Sequence, residues 1–112
     1  MAIGPSSASA TMRRALVEPR TGVRLEEVLV PAPAARDVLV RSTLVGICGS
    51  DTHALAGHHP FLTEPYIPGH EAIGVVSALG SEVTGLIVGQ RVLLKPNVAC
   101  GTCSNCVAGR TN

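Results

Sequence analysis

At 112 residues, with 46% hydrophobic and 15% charged side chains, the chain suits one compact domain with a modest core and excludes wholesale disorder. Eight Arg and the single Lys95 are scattered along a chain of net charge +1, so no basic stripe is present to grip a phosphate backbone, and nucleic acid is excluded as a partner. Every apolar run is interrupted well short of the roughly 18 to 20 residues that span a bilayer, so no membrane partner is expected.

The chain opens on Met1 to Thr11, a small and polar stretch followed by Arg13 and Arg14. It lacks the charged start and apolar centre of a secretion signal and reads as a floppy leader over 1–11, with Met12 as an alternative start. Segments with strand character then recur between turn signals: Arg14 to Glu18, Val23 to Val30, Asp37 to Val45, Ala72 to Leu79 and Gln90 to Leu94. With only Phe61 and Tyr66 as aromatics, the core must come from Val, Leu, Ile and Ala, and short strands at this spacing predict a mainly β barrel or sandwich. Val38 and Val40 alternate with Leu39 and Arg41, the period-two pattern of a half-buried strand. Ser50 to Ala56 predicts a helical turn or more, capped by Ser50 or Asp51. Pro60, Pro65 and Pro68 then force an irregular loop in which His58 and His59 receive no role. Gly89-Gln90-Arg91-Val92 reads as a tight turn into a strand. From Ala99 onward the composition shifts to Cys, Gly, Asn and Thr, a loop folded around a metal.

Cysteine placement carries the chemistry. Three of the four cysteines cluster at Cys100, Cys103 and Cys106, and Cys48 stands alone; without a secretion signal, such clustering argues for metal in a reducing compartment rather than for disulfides. Cys48 follows a predicted strand and His70 precedes the next, so a barrel brings both to one rim. Catalytic zinc keeps about three protein ligands from thiolate, imidazole and carboxylate, and Cys48, His70 and Glu71 supply one of each. The Cys100-Cys103-Cys106 run has the two-residue spacers of a structural zinc lobe with three of its four thiolates. An iron–sulfur reading fails, because no Cys-x3-Cys-Pro continuation follows Cys106.

The run Gly46-Ile47-Cys48-Gly49-Ser50-Asp51-Thr52-His53, followed by Pro68-Gly69-His70-Glu71, resembles the signature of the zinc-dependent medium-chain alcohol and polyol dehydrogenases over nearly the whole chain from Met12. The resemblance implies a GroES-like, partly open β-barrel with short helices and a cysteine-rich loop lobe, occupying 12–112. It implies Cys48 and His70 as catalytic zinc ligands, Glu71 as a further or intermittent one, and Asp51 behind the ring of His70, against the plainer reading of Asp51 as a helix cap. Ser50 would pass the alcohol proton towards His53 and solvent, with hydride going to a nicotinamide. Cys100, Cys103 and Cys106 would hold structural zinc, whose fourth family cysteine would fall about two positions beyond Asn112. The closing Gly109-Arg110-Thr111-Asn112 is similar to the sorbitol or xylitol branch and points to a polyol.

The chain contains no Gly-x-Gly-x-x-Gly after a strand. The Rossmann domain is therefore expected to be absent, NAD or NADP to bind only where that domain is present, and these residues alone to show little turnover. The full-length protein is expected in the cytoplasm as a homodimer or homotetramer. The competing readings are a stand-alone zinc-binding or GroES-like module without turnover, and a zinc-free quinone-reductase relative; Cys48, His70 and the cysteine run argue against both.

Overall fold

The computed structural model describes residues 10–62 and 65–111. Its elements, in chain order, are β1 (Thr11–Glu18), β2 (Gly22–Leu29), β3 (Val38–Val45), α1 (Gly49–Leu55), β4 (Ala72–Leu79), β5 (Arg91–Leu93) and α2 (Ser104–Val107). All five expected strands form. The leader expected over 1–11 lies outside the described residues except for Ala10 and Thr11, and Thr11 is already the first residue of β1.

β1 and β2 form a hairpin in unbroken antiparallel register from Thr11↔Leu29 to Glu18↔Gly22. Its turn places Arg20 at φ 67, the left-handed region. The position is held because Arg20 N–H donates to Leu55 O at 2.8 Å, which docks the hairpin tip on the end of α1. The second sheet has the order β3-β4-β5, all antiparallel, with register shifts in β3 at Leu39/Val40 and Ser42/Leu44. A single bridge between Val17 and Tyr66 joins the β1 hairpin to the loop before β4, with paired backbone hydrogen bonds of 2.9 and 3.0 Å. Two short sheets meeting in this way form the mainly β, open architecture expected from the strand pattern.

Close backbone approach, more than side-chain volume, holds the larger sheet. A Cβ at Gly80 would collide with the carbonyl oxygens of Ala34 and Ala35, and one at Gly74 would lie 2.6 Å from Arg41 O. Gly80 N–H donates to Asp37 O at 2.9 Å, tying the end of β4 to the start of β3. Gln90 closes the turn into β5 as expected: its N–H donates to Ile87 O, and its side-chain oxygen accepts from Ile87 N–H at 3.2 Å.

Three details depart from the expectations. Among the described residues the buried apolar side chains are Val17, Ala54 and Val76, of the expected types, but β3 lacks the half-buried alternation, since Val40, Leu44 and Val45 are all exposed. The two bulges break the two-residue repeat, and from Val40 onward neither face of the strand is covered. The cap of α1 is Cys48 rather than Ser50 or Asp51. The cysteine-rich stretch is not wholly loop: Ser104–Val107 closes one helical turn after Cys103, and Gly109 at φ 74 ends it.

Gly80→Ala is expected to destabilise the domain by about 1–3 kcal/mol or more, because backbone on both sides of the new methyl must shift. Urea unfolding followed by circular dichroism will measure the loss as a lower midpoint at unchanged slope.

Candidate metal centre

β3 and β4 run antiparallel with Val45 opposite Ala72, and the pairing continues one step through Gly46 N–H donating to Glu71 O at 2.7 Å. The chain leaving β3 and the chain entering β4 therefore share one end of the sheet. Cys48 and His70, 22 positions apart, come together there with Cys48 Sγ 3.1 Å from His70 Nε2. Asp51 completes the group. One carboxylate oxygen accepts from Cys48 N–H at 3.0 Å, and the other lies 3.8 Å from His70 Nδ1. Ligand atoms of Cys48, Asp51 and His70 all lie within 4.8 Å of one another.

The electrostatics of the pair are mutual. The hydroxyl of Ser50, 2.8 Å from Cys48 Sγ, is the main influence holding that thiol below its ordinary value, with backbone N–H groups and His70 adding to it. Cys48 in turn raises the imidazole of His70, by hydrogen bond and by charge, with help from Asp51 and Glu71. Both shifts lean towards thiolate beside imidazolium, and a cation bound here would take the sulfur as thiolate and displace the ring proton.

The donor set fits zinc. Bonds of about 2.3 Å to sulfur and 2.0 Å to nitrogen in a tetrahedron separate the two ligand atoms by about 3.5 Å, so the observed pair needs to open by only a few tenths of an ångström. Cys48 and His70 are thus brought together as expected, and Asp51 both faces the ring and holds the start of α1. Glu71 is not brought into this cluster: its exposed side chain lies over Gly46, where an added Cβ would meet Oε2 at 2.7 Å. His53 is exposed on α1 with its ring 6.4 Å from that of His58, and no hydrogen bond joins it to Ser50 among the described residues.

Beside the pair lies an open cleft of about 360 Å³, lined by Ser50, Asp51, His70, His59, Tyr66 and Asn97 among others. Sequence reasoning missed the last three. The available signal was the His58-His59 pair inside a proline-bounded loop close before Gly69-His70.

The second cluster is local. Cys100 Sγ and Cys103 Sγ lie 3.7 and 3.5 Å from Cys106 Sγ, with all four cysteines free. Thiolates around tetrahedral zinc are about 3.8 Å apart, so these three already stand close to coordination spacing. Arg110 Nε donates to Asn105 Oδ1 at 3.3 Å, and Arg110 N–H to Asn105 O at 2.8 Å, fastening the end of the lobe. Hydrogen bonds from the backbone of Thr102, then of Cys103, pull the Cys100 thiol down to about 6.

Residues 34–112 match the alcohol dehydrogenase GroES-like domain family, and the chain belongs to that family. It is 42% identical to the starvation-sensing protein RspB of Escherichia coli (strain K12), over 90% of this chain and 30% of that protein. It is 40% identical to sorbitol dehydrogenase of Arabidopsis thaliana, over 80% of this chain and 26% of that enzyme. The cobalt- and zinc-bound thermostable alcohol dehydrogenase of Pyrobaculum aerophilum superposes at a TM-score of 0.75 with 34% identity, over 91% of this chain and 32% of that one. The chain thus spans about 30% of the length of the curated relatives it matches. No helix among the described residues is long and apolar enough to cross a membrane.

Below pH 6 the Cys100 thiol is protonated and poorly nucleophilic; above it the thiolate dominates. Alkylation of metal-free protein by iodoacetamide, mapped by peptide mass spectrometry, is expected to accelerate at Cys100 through a midpoint near pH 6.

Proposed function

We propose that this chain forms the catalytic, metal-holding domain of a zinc-dependent dehydrogenase that oxidises an alcohol or polyol with NAD or NADP. The observation that carries the reading is the Cys48 Sγ to His70 Nε2 approach of 3.1 Å at the edge of a cleft that Ser50 also lines. Cys48 and His70 would hold the catalytic zinc, with Glu71 reaching it only after its side chain leaves Gly46. Zinc, when bound, supplies a Lewis acid that polarises an alcohol oxygen.

The remaining chemistry belongs to this chain's own side chains. Ser50 faces the cleft and both donates and accepts, so it takes the proton of the substrate hydroxyl. Ser50 gives up its own proton in exchange, and His53, three residues further along α1 and open to solvent, would receive it through bridging water, since no hydrogen bond joins the two among the described residues, and return it to solvent. Asp51 lies 3.8 Å from the Nδ1 side of His70, close enough to draw in and hold the ring with Nε2 towards Cys48, the side on which carboxylates stand behind metal-bound imidazoles. Cys100, Cys103 and Cys106 would hold a second, structural zinc, with one coordination position left for a further ligand.

The nicotinamide site is assigned to the remainder of the relatives' length, and the relative named sorbitol dehydrogenase supports the polyol class. Thiolate ligands suit the reducing cytoplasm. Exposed Val23, Leu25, Leu29, Leu44 and Leu93 suit burial in a homodimer or homotetramer of the full-length protein.

Two measurements test this. Asp51→Asn is expected to weaken zinc at the Cys48–His70 site about 10- to 100-fold in competition with a chelating dye, while zinc held by the cysteine lobe is unchanged; equal affinity in both proteins would remove Asp51 from its role. A chimera in which residues 10–111 replace the matching segment of the Arabidopsis enzyme is expected to reduce NAD in a sorbitol-dependent reaction, with at least ~100-fold loss in Cys48→Ala. A folded, zinc-loaded chimera without polyol-dependent NADH formation would overturn the proposal.

A further inference from the structure

Among the polar side chains of the cleft that take no part in the chemistry above are His59 and Tyr66. His59 is half-buried and lines the cleft wall with Tyr66, Ser50 and His70. Its Nδ1 accepts from Phe61 N–H at 3.3 Å, and its ring packs edge-on to Phe61 at a centroid distance of 6.1 Å. A neutral imidazole that accepts at Nδ1 carries its proton at Nε2, so the ring is held in place with an N–H donor that no hydrogen bond engages among the described residues.

Tyr66 is fixed from its backbone by the two-way bridge to Val17, at 2.9 and 3.0 Å. Its hydroxyl oxygen is buried and has no hydrogen-bond partner, one of two such buried side-chain atoms among the described residues. Burial, reinforced by the charges of Asp51 and Cys48, raises its pKa, so at neutral pH the phenol remains a donor. An unpaired buried hydroxyl is costly and calls for a partner.

We propose that His59 and Tyr66 are specificity-determining residues that bind a second oxygen of the substrate, so that the cleft selects a vicinal diol or polyol over a monohydric alcohol. The proposal rests on the dehydrogenase reading above and deepens it. The substrate's second hydroxyl accepts from His59 Nε2–H and, once the Tyr66 side chain turns its buried hydroxyl towards the cleft, pairs with that hydroxyl. A monohydric alcohol leaves both donors unpaired in a partly desolvated wall, and a site built to bond a hydroxyl discriminates against the analogue that lacks it.

The test is a chemical-shift titration of the zinc-loaded chain with 1,2-propanediol and with 2-propanol, in the wild type, His59→Ala and Tyr66→Phe. Tyr66→Phe removes a single oxygen and keeps the ring, so the inference stays testable even where His59→Ala unfolds. The wild type is expected to prefer the diol by about three- to tenfold, the worth of one or two neutral hydrogen bonds. Each variant is expected to lower that preference by at least about twofold, with 2-propanol affinity and zinc content unchanged. A diol preference that survives undiminished in both variants, or a wild type that binds the two alcohols equally, overturns this assignment and leaves the dehydrogenase reading standing. Absence of any zinc-dependent alcohol binding in the wild type overturns both.

Discussion

The antiparallel pairing of β3 with β4 is the constraint on which the rest depends. Its register sets Val45 against Ala72, and the extra hydrogen bond from Gly46 to Glu71 carries the pairing to the lip of the sheet. Beyond that point the strands release Cys48 and His70 on the same side. Thiol and imidazole therefore meet because a backbone ladder ends there, and the ladder in turn needs Gly74 and Gly80, where a side chain would strike the neighbouring backbone. Steric permission at two glycines thus lies upstream of the electrostatics of the metal centre.

Asp51 shows how few residues perform several tasks. One carboxylate accepts from the Cys48 N–H at the start of α1 and faces the far nitrogen of His70. Support of the Cys48 cap and a place behind the ring of His70 are not alternatives at this position, because the two oxygens of a carboxylate point at different partners. The same hydrogen bond that ends the loop after β3 also fixes where Cys48 stands relative to the ring. Local helix formation and the geometry of a long-range ligand pair are set by a single side chain.

The cysteine lobe obeys a different logic. Its thiols are at most six positions apart, and the turn of α2, ended by Gly109 and fastened by Arg110 to Asn105, gathers them without help from either sheet. The sheets themselves hide little: among their described residues Val17 and Val76 are the buried apolar side chains, while Leu25, Leu44 and Leu93 remain well exposed. At about 25 cal/mol per Å² of apolar area removed from water, covering those side chains would stabilise the domain further.

What the sequence determined alone is what depends on neighbours along the chain: strand-forming β-branched runs, turns at Gly89-Gln90, and two-residue cysteine spacing that one backbone turn can wrap. Cys48 and His70 were also legible as a pair, since motif and strand ends agreed. Tertiary structure decided whatever depends on the direction of side chains across the fold. It laid Glu71 over Gly46 and away from the cluster, put His53 on the solvent side of α1, and moved His59 and Tyr66 from an unremarked loop into the cleft wall. The bulges in β3 broke the alternation on which a core assignment from periodicity relies. A residue's neighbours along the chain follow from covalent order, but the atoms its side chain meets follow from register and bulges, which only the assembled sheets define.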